Sequence, residues 1–186
     1  MAREIHDGLA QYLFAVSTHA SMIENGAPLE EAVPRLKEAA LLAMQEARFA
    51  ILALSSASGT APFDSALRRY VEILTADGEL EVELEVDTSI RLAPDEQIEI
   101  FRIVQEGLAN VRKHANATRA DVTIGQRQFG ERYVTISDDG EGFEGDDSRV
   151  GQGLKNMRAR AESIEGGFSL RSTPGHGTRL EVLLRA

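Results

Sequence analysis

Leu36, Ala40, Ala43, Ala47, Ala50 and Leu54 recur in strict four-three alternation along one stretch of the chain. That spacing predicts a helix with a single apolar seam, the register of a bundle or coiled coil. A second seam precedes it: Ile5, Leu9, Leu13, Val16, Ala20 and Ile23 stand three and four residues apart. Between the two, Asn25-Gly26-Ala27-Pro28 reads as a helix stop and a turn. Pro34 fits the first turn of the second helix better than its interior, where it would remove a hydrogen bond. Two helices carrying one stripe each cannot bury both stripes alone. An antiparallel hairpin that dimerises into a four-helix bundle is the economical solution.

The pattern breaks at Ser55-Ser56-Ala57-Ser58-Gly59-Thr60-Ala61-Pro62, which is small, polar and ends in proline. This composition predicts a boundary, with residues 1–56 as a helical domain, 57–62 as linker and 63–186 as a second domain. In the second part the period changes. A helix near 65–76 leads into a half-buried strand, in which Leu80, Val82, Leu84 and Val86 alternate with glutamates. A long helix follows from about Pro94 to His114, then strands near 121–126 and 132–138. A glycine- and aspartate-rich loop, a helix near 152–164 and strands near 168–172 and 178–184 complete an α/β sandwich. The fold class is therefore α+β.

Composition narrows the function. An apolar share of 42% supports a real core, and a net charge of -10 disfavours nucleic acid or an anionic membrane as partner. The absence of cysteine excludes thiolate zinc sites and thiol nucleophiles. No uninterrupted apolar run approaches the roughly 20 residues of a membrane helix, and no signal peptide is recognised. The expectation is a soluble, cytoplasmic piece without direct membrane contact.

The long helix carries two faces. Phe101, Val104, Leu108 and Val111 form an apolar stripe, whereas Glu106, Asn110, Lys113 and His114 share another side. A carboxylate and a carboxamide one turn apart can hold hydrated Mg²⁺, which takes oxygen ligands, and Lys113 and His114 could reach phosphate oxygens. A solvated polar face is the plain alternative. Gly107 argues against it, because a mid-helix glycine costs about 1 kcal/mol relative to alanine and is easier to accept where something approaches the backbone.

In "YVTISDDGEGF", Asp138 continues the inward face of Val134 and Ile136. An inward carboxylate needs a donor, such as an adenine amino group, unless it only caps the strand. Gly140 and Gly142 would let a ring lie against bare backbone. Gly140, Gly142 and Gly145 literally match the dinucleotide fingerprint, but Asp146 and Asp147 stand where a helix should receive pyrophosphate, so that reading is rejected. No G-x-x-x-x-G-K-[ST] loop occurs. "VGQGLKNMRARA" places Gly151 and Gly153 at a helix start, where free amides bind phosphate, and "STPGHGTRLEVLL" turns into the last strand with Thr178 just after its glycines.

The order of these elements resembles the ATP-binding domain shared by histidine kinases, gyrase-type ATPases, Hsp90-type chaperones and mismatch-repair ATPases, the GHKL (Bergerat) type. The resemblance covers about residues 63–186. It implies Glu106 and Asn110 in an Asn box, with Asn110 as Mg²⁺ ligand, and Asp138 as adenine reader beside Gly140 and Gly142. It also implies Gly151, Gly153 and Leu154 near the phosphates, Thr178 supporting the adenine pocket and 144–150 as a short lid.

The helix "REIHDGLAQ" refines the resemblance. With its H-D-x-x-x-Q stretch the chain resembles sensor histidine kinases, and within them the nitrate-sensor and membrane-fluidity-sensor subfamily. "QEGLANVRKHA" and "GLKNMRARA" are similar to that subfamily as well. The resemblance implies ATP and Mg²⁺ as cofactors, His6 as phosphoacceptor, Asp7 as its base and Gln11 in dephosphorylation of a response-regulator partner. Upstream sensor and signalling helices are expected of the subfamily, and the linker "LSSASGTAP" lacks its usual leucine-arginine-proline stretch. His19 is expected to pack in the bundle, His114 to be structural or near phosphate, and His176 to be exposed in a glycine turn. The alternatives are a GHKL-type ATPase with Glu106 activating water, an anti-sigma-like serine kinase, and a nucleotide-locked dimerisation module without enzymatic activity.

Overall fold

The computed structural model describes residues 2–59, 61–144 and 151–185, apart from the side chains of residues 2–9, 45 and 129. It divides the chain into Met1–Leu52 and Ala53–Ala186, a division that falls inside the second helix.

The first unit is built from α1 (Ala2–Glu24) and most of α2 (Leu29–Ala57). Gly26, at φ +84°, closes α1: its N–H reaches Ile23 O while the Ala27 N–H reaches Met22 O, both at 3.0 Å. This paired arrangement satisfies the carbonyls that a helix end leaves open. Helix α2 begins right after Pro28, whose carbonyl accepts from Ala32. Pro34 therefore sits inside the helix, not in its first turn as the sequence suggests. Its position still falls close to the N-terminus, where few backbone bonds are lost.

The buried line along α2 is Ala32, Ala39, Ala43 and Ala50, with Phe49 beside it. Leu36, Ala40 and Ala47 of the expected seam are half-buried, and Leu54 is exposed. Large apolar side chains remain in solvent, among them Leu13, Phe14 (74% exposed), Leu41, Met44 and Ile51 (62%). α2 is also long and apolar enough, by length and composition alone, to cross a membrane. Glu46 and Arg48 interrupt its apolar stretch. The line of buried small residues is the feature expected of a helix that packs on other helices.

The second unit adds α3 (Phe63–Leu74), β1 (Glu81–Val86), α4 (Pro94–Asn110), β2 (Arg119–Gln126), β3 (Arg132–Asp138), α5 (Gln152–Ser163), β4 (Gly167–Ser172) and β5 (Thr178–Leu184). The five strands form one sheet in the order β1-β2-β3-β5-β4. Among the described residues only β1 and β2 run parallel, joined through α4, as a parallel pair requires. The other pairs are antiparallel, with Val122 opposite Ile136 and Val134 opposite Val182. This mixed order is incompatible with the parallel dinucleotide-binding sheet that the glycine spacing mimics.

One face of the sheet buries Val122, Ile124, Val134, Ile136, Leu180 and Val182. Against the strands pack α3 on β1, α4 on β3 and α5 on β4. Phe101, Ile103, Val104 and Leu108 of α4 are fully buried, and the Tyr70 ring of α3 lies 5.6 Å from that of Phe101. The other face carries ion pairs, including Arg119 with Glu83 and Asp121, and Arg127 with Glu181. Such exposed pairs are screened by solvent and add little to stability. The fold is held by the apolar face.

Candidate functional site

The end of α4 shapes one wall of the site. At Val111 the helix widens into a π-turn through Ala115, and Asn116 terminates it with φ 50°. Glu106, Asn110, Lys113 and His114 all border a cavity of about 410 Å³ beside this turn. Lys113 and His114 are exposed, whereas Glu106 and Asn110 are half-buried. Gly107 explains itself: a Cβ there would stand 2.5 Å from Cδ1 of Ile136, so the close approach expected at this glycine is made by the sheet.

Asp138, the last residue of β3, forms the opposite wall together with Ile136 and Thr178. Its Oδ1 accepts the Gly140 N–H at 2.9 Å. Burial pushes its carboxyl above the ordinary carboxylate range, against hydrogen bonds from the Gly140 and Thr178 amides that pull it down. Asp138 therefore both caps its strand and presents a carboxylate to the cavity. Its neighbour Asp139 is different. Hydrogen bonds, first from Arg119 and then from Thr118, hold Asp139 below the usual range, and it fastens the end of β3 to the start of β2.

The glycines after β3 are required by the protein's own backbone. A Cβ on Gly140 would meet Ala115 O at 2.3 Å, and one on Gly142 (φ +59°) would meet Thr173 O at 2.1 Å. The Glu141 N–H bonds Ala115 O at 2.8 Å, while Glu141 O accepts from Gly175 at 2.6 Å. The loop is thus clamped between the π-turn and the β4–β5 turn. Gly142 borders the cavity; Gly140 lies behind it.

Gly151, Gly153 and Leu154 close the third side at the N-terminus of α5. Among the described residues no side chain caps this helix start, which leaves its first amides to an anion. Met157, Leu170 and Leu180 line the floor and Phe143 the rim. The sequence motifs assign none of these four to a site. Their only signal was apolarity, which core residues share. Behind the wall, Ser172 Oγ receives the Phe143 N–H and lies 2.9 Å from Thr178 Oγ1.

The cavity thus gathers ten of the residues singled out in the second domain: Glu106, Asn110, Lys113, His114, Asp138, Gly142, Gly151, Gly153, Leu154 and Thr178. Residues 145–150 of the expected lid lie outside the described residues. In the first unit, His6 and Asp7 fall on α1, but their side chains are likewise outside the described residues; Gln11 is exposed on the same helix. His19 is half-buried and His176 exposed.

This mixed sheet, with a carboxylate at a strand end, an Asn-bearing helix and a glycine-led helix around one cavity, defines an ATP-binding domain. Residues 95–186 match the family described as histidine kinase-, DNA gyrase B- and HSP90-like ATPase, and residues 1–59 match a histidine kinase family. The chain belongs to the histidine kinase family and carries the catalytic core of a sensor histidine kinase.

Sensor protein VraS of Staphylococcus haemolyticus is 33% identical over 189 residues, 98% of this chain and 53% of the relative. VraS of Staphylococcus saprophyticus is 34% identical over 191 residues, again 98% and 53%. The chain spans about half the length of these curated relatives. Among solved structures, the blue-light activated histidine kinase EL346 of Erythrobacter litoralis superposes with a TM-score of 0.66 at 20% identity, covering 97% of this chain and 59% of that one. Histidine kinase AdeS of Acinetobacter baumannii gives 0.61 at 12% identity, covering 96% of both. These two share the fold.

Proposed function

We propose that the chain is an ATP-dependent histidine autokinase whose phosphoryl group passes to an aspartate of a response-regulator receiver domain. The observation that carries this reading is the convergence of those ten residues on one cavity, in a chain whose helical unit carries His6-Asp7 and Gln11. Residues 1–56 act as the dimerisation and phosphotransfer domain, 57–62 as linker and 63–186 as the ATP-binding domain.

Asp138 reads the adenine amino group. Its carboxylate accepts from the exocyclic N–H₂ while Gly140, Gly142 and Thr178 hold its surroundings. Lys113, His114 and the free amides around Gly151, Gly153 and Leu154 take phosphate oxygens. Glu106 and Asn110 supply two oxygen donors one helical turn apart. No group of three or more metal-binding side chains occurs among the described residues. That donor set fits Mg²⁺, which keeps waters and substrate phosphates as its remaining ligands. When bound, the cation would neutralise charge between the phosphates.

A neutral ring nitrogen of His6 attacks the γ-phosphorus in line; the bond to the β-phosphate oxygen breaks and ADP leaves. Asp7 accepts the N–H on the other ring nitrogen, fixing the tautomer and stabilising the positive charge that develops on the ring. Gln11, one turn beyond Asp7, orients water when the same helix dephosphorylates the regulator. The apolar side chains left in solvent on α1 and α2, Phe14 and Ile51 among them, support a homodimer through the hairpin. ATP and a receiver domain as partners correspond to work on the cytoplasmic side.

Incubation with γ-labelled ATP tests the proposal. Acid-labile, alkali-stable label that disappears in His6→Gln is the expected result. Label that persists in His6→Gln overturns the His6 assignment, and ATP hydrolysis without any labelled protein favours the GHKL-type ATPase instead.

A further inference from the structure

A π-turn is uncommon and has poorer hydrogen-bond geometry than the α-helix it interrupts, so it persists where tertiary contacts hold it. The turn Val111–Ala115 carries Lys113 and His114 into the cavity, and Arg112 lies between Val111 and these two without bordering the cavity itself. Arg112 reaches to the other side. Its Nη1 donates to Leu74 O at 3.0 Å, and its Nη2 pairs with Asp77. Leu74 is the last residue of α3, where carbonyls lack a helical partner. One guanidinium therefore closes the end of α3 and fixes the widened turn of α4.

We infer that Arg112 is a positioning residue for nucleotide binding, holding the π-turn so that Lys113 and His114 face the phosphates. The inference rests on the reading of the cavity as an ATP site. On the far side of the turn, Ala115 O is held by the Glu141 N–H, so the turn is fixed at both ends. Without the Arg112 anchor one end is released, and the segment can relax toward ordinary α-helix. That change rotates Lys113 and His114 relative to the Asp138 wall while leaving the fold in place. The planar fork of arginine matters because it serves a carbonyl and a carboxylate at once, which a lysine ammonium does less well.

The test is ADP binding by calorimetry, thermal melting and steady-state autophosphorylation on the whole chain. Arg112→Met should weaken ADP binding and raise the KM for ATP by about tenfold, the scale of one lost orienting contact, with kcat within about twofold of wild type. Arg112→Lys should fall between the two, and Asp77→Asn should give a smaller loss than Arg112→Met. If Arg112→Met does not fold, Arg112→Lys and Asp77→Asn carry the same comparison. A lower melting temperature with unchanged ADP affinity and KM would mean a merely structural contact and overturns the inference. So does a fall in kcat at constant KM. ADP that fails to bind wild type overturns the ATP-site reading and this inference with it; binding to wild type with unaltered variants overturns the inference alone.

Discussion

Glu106 on α4 stands so close to the first turn of α5 that a Cβ on Gly153 would lie 2.2 Å from its Oε1. The neighbour is the end of a flexible side chain, so Gly153→Ala can fold by pushing the carboxylate aside. The expected result is an unchanged melting temperature and autophosphorylation reduced by about ten- to a hundredfold, because an ångström-scale displacement of a group that positions the reactants has effects of that size. A higher Mg²⁺ requirement should accompany the loss. Full activity in Gly153→Ala would show that the Glu106 position does not matter.

Gly177 makes a contrasting case. Its φ is +71°, and an added Cβ would meet Asp138 O, a backbone atom at the end of a paired strand, at 2.0 Å. Neither neighbour nor torsion can yield cheaply. Gly177→Ala should lose about 2–3 kcal/mol of stability in urea denaturation. A loss under about 1 kcal/mol would mean that the β4–β5 turn is softer than its hydrogen bonds indicate.

Much of this was legible in the sequence because it rests on local period. Leu80, Val82, Leu84 and Val86 announce β1, which begins at Glu81. Glu106 and Asn110 announce one polar face because helical spacing alone brings them together, and both border the cavity. What could not be read depends on partners distant in sequence. The spacing of 94–114 predicts one helix, but the widened turn at Val111 is tied to Leu74 O through Arg112 and to the Glu141 N–H through Ala115 O, backbone groups that carry no sequence signature. The spacing of Gly140 and Gly142 suggests bare backbone for a ring to lie on, yet what approaches them is the backbone of Ala115 and Thr173. In the same way Ser56, read as the edge of a linker, donates to Gln97 Oε1 at 2.6 Å and is buried.

Asp138 should reverse the usual sign of a carboxylate substitution. Its carboxyl titrates above the ordinary value of 3.8 because burial disfavours the charge. A raised carboxyl contributes stability below its unfolded pKa and loses that contribution as pH rises through the folded pKa. At about pH 7 the ionised form is therefore a net liability to the nucleotide-free fold. Asp138→Asn keeps an oxygen for the Gly140 N–H and removes the charge. Its melting temperature should equal or exceed that of wild type near neutrality, with the difference shrinking toward acid pH. ATP affinity should fall by at least about tenfold, since the amide oxygen is a weaker acceptor for the adenine amino group. Full ATP affinity in this variant would count against the adenine assignment.

Arg132 separates stability from binding at the other end of α4. Its guanidinium grips Glu96 with two bonds, Oε2 at 2.8 Å and Oε1 at 2.9 Å, and donates to Arg91 O at 2.9 Å and Arg185 O at 2.6 Å. The pair is largely shielded, with the Arg132 side chain 17% and the Glu96 side chain 14% exposed. Glu96 in turn accepts the Ala93 N–H and so starts α4. Arg132→Met leaves that carboxylate with the Ala93 N–H alone and takes the guanidinium donor from two carbonyls. The expected cost is about 2–4 kcal/mol, the range for breaking one side of a shielded ion pair after allowance for partial exposure. Glu96 lies 14 residues before Asn110, roughly 20 Å along the helix axis, so nucleotide affinity should be unaltered. Urea denaturation and ADP calorimetry on the same sample check both halves. A loss of affinity without a loss of stability would make Arg132 part of the binding machinery.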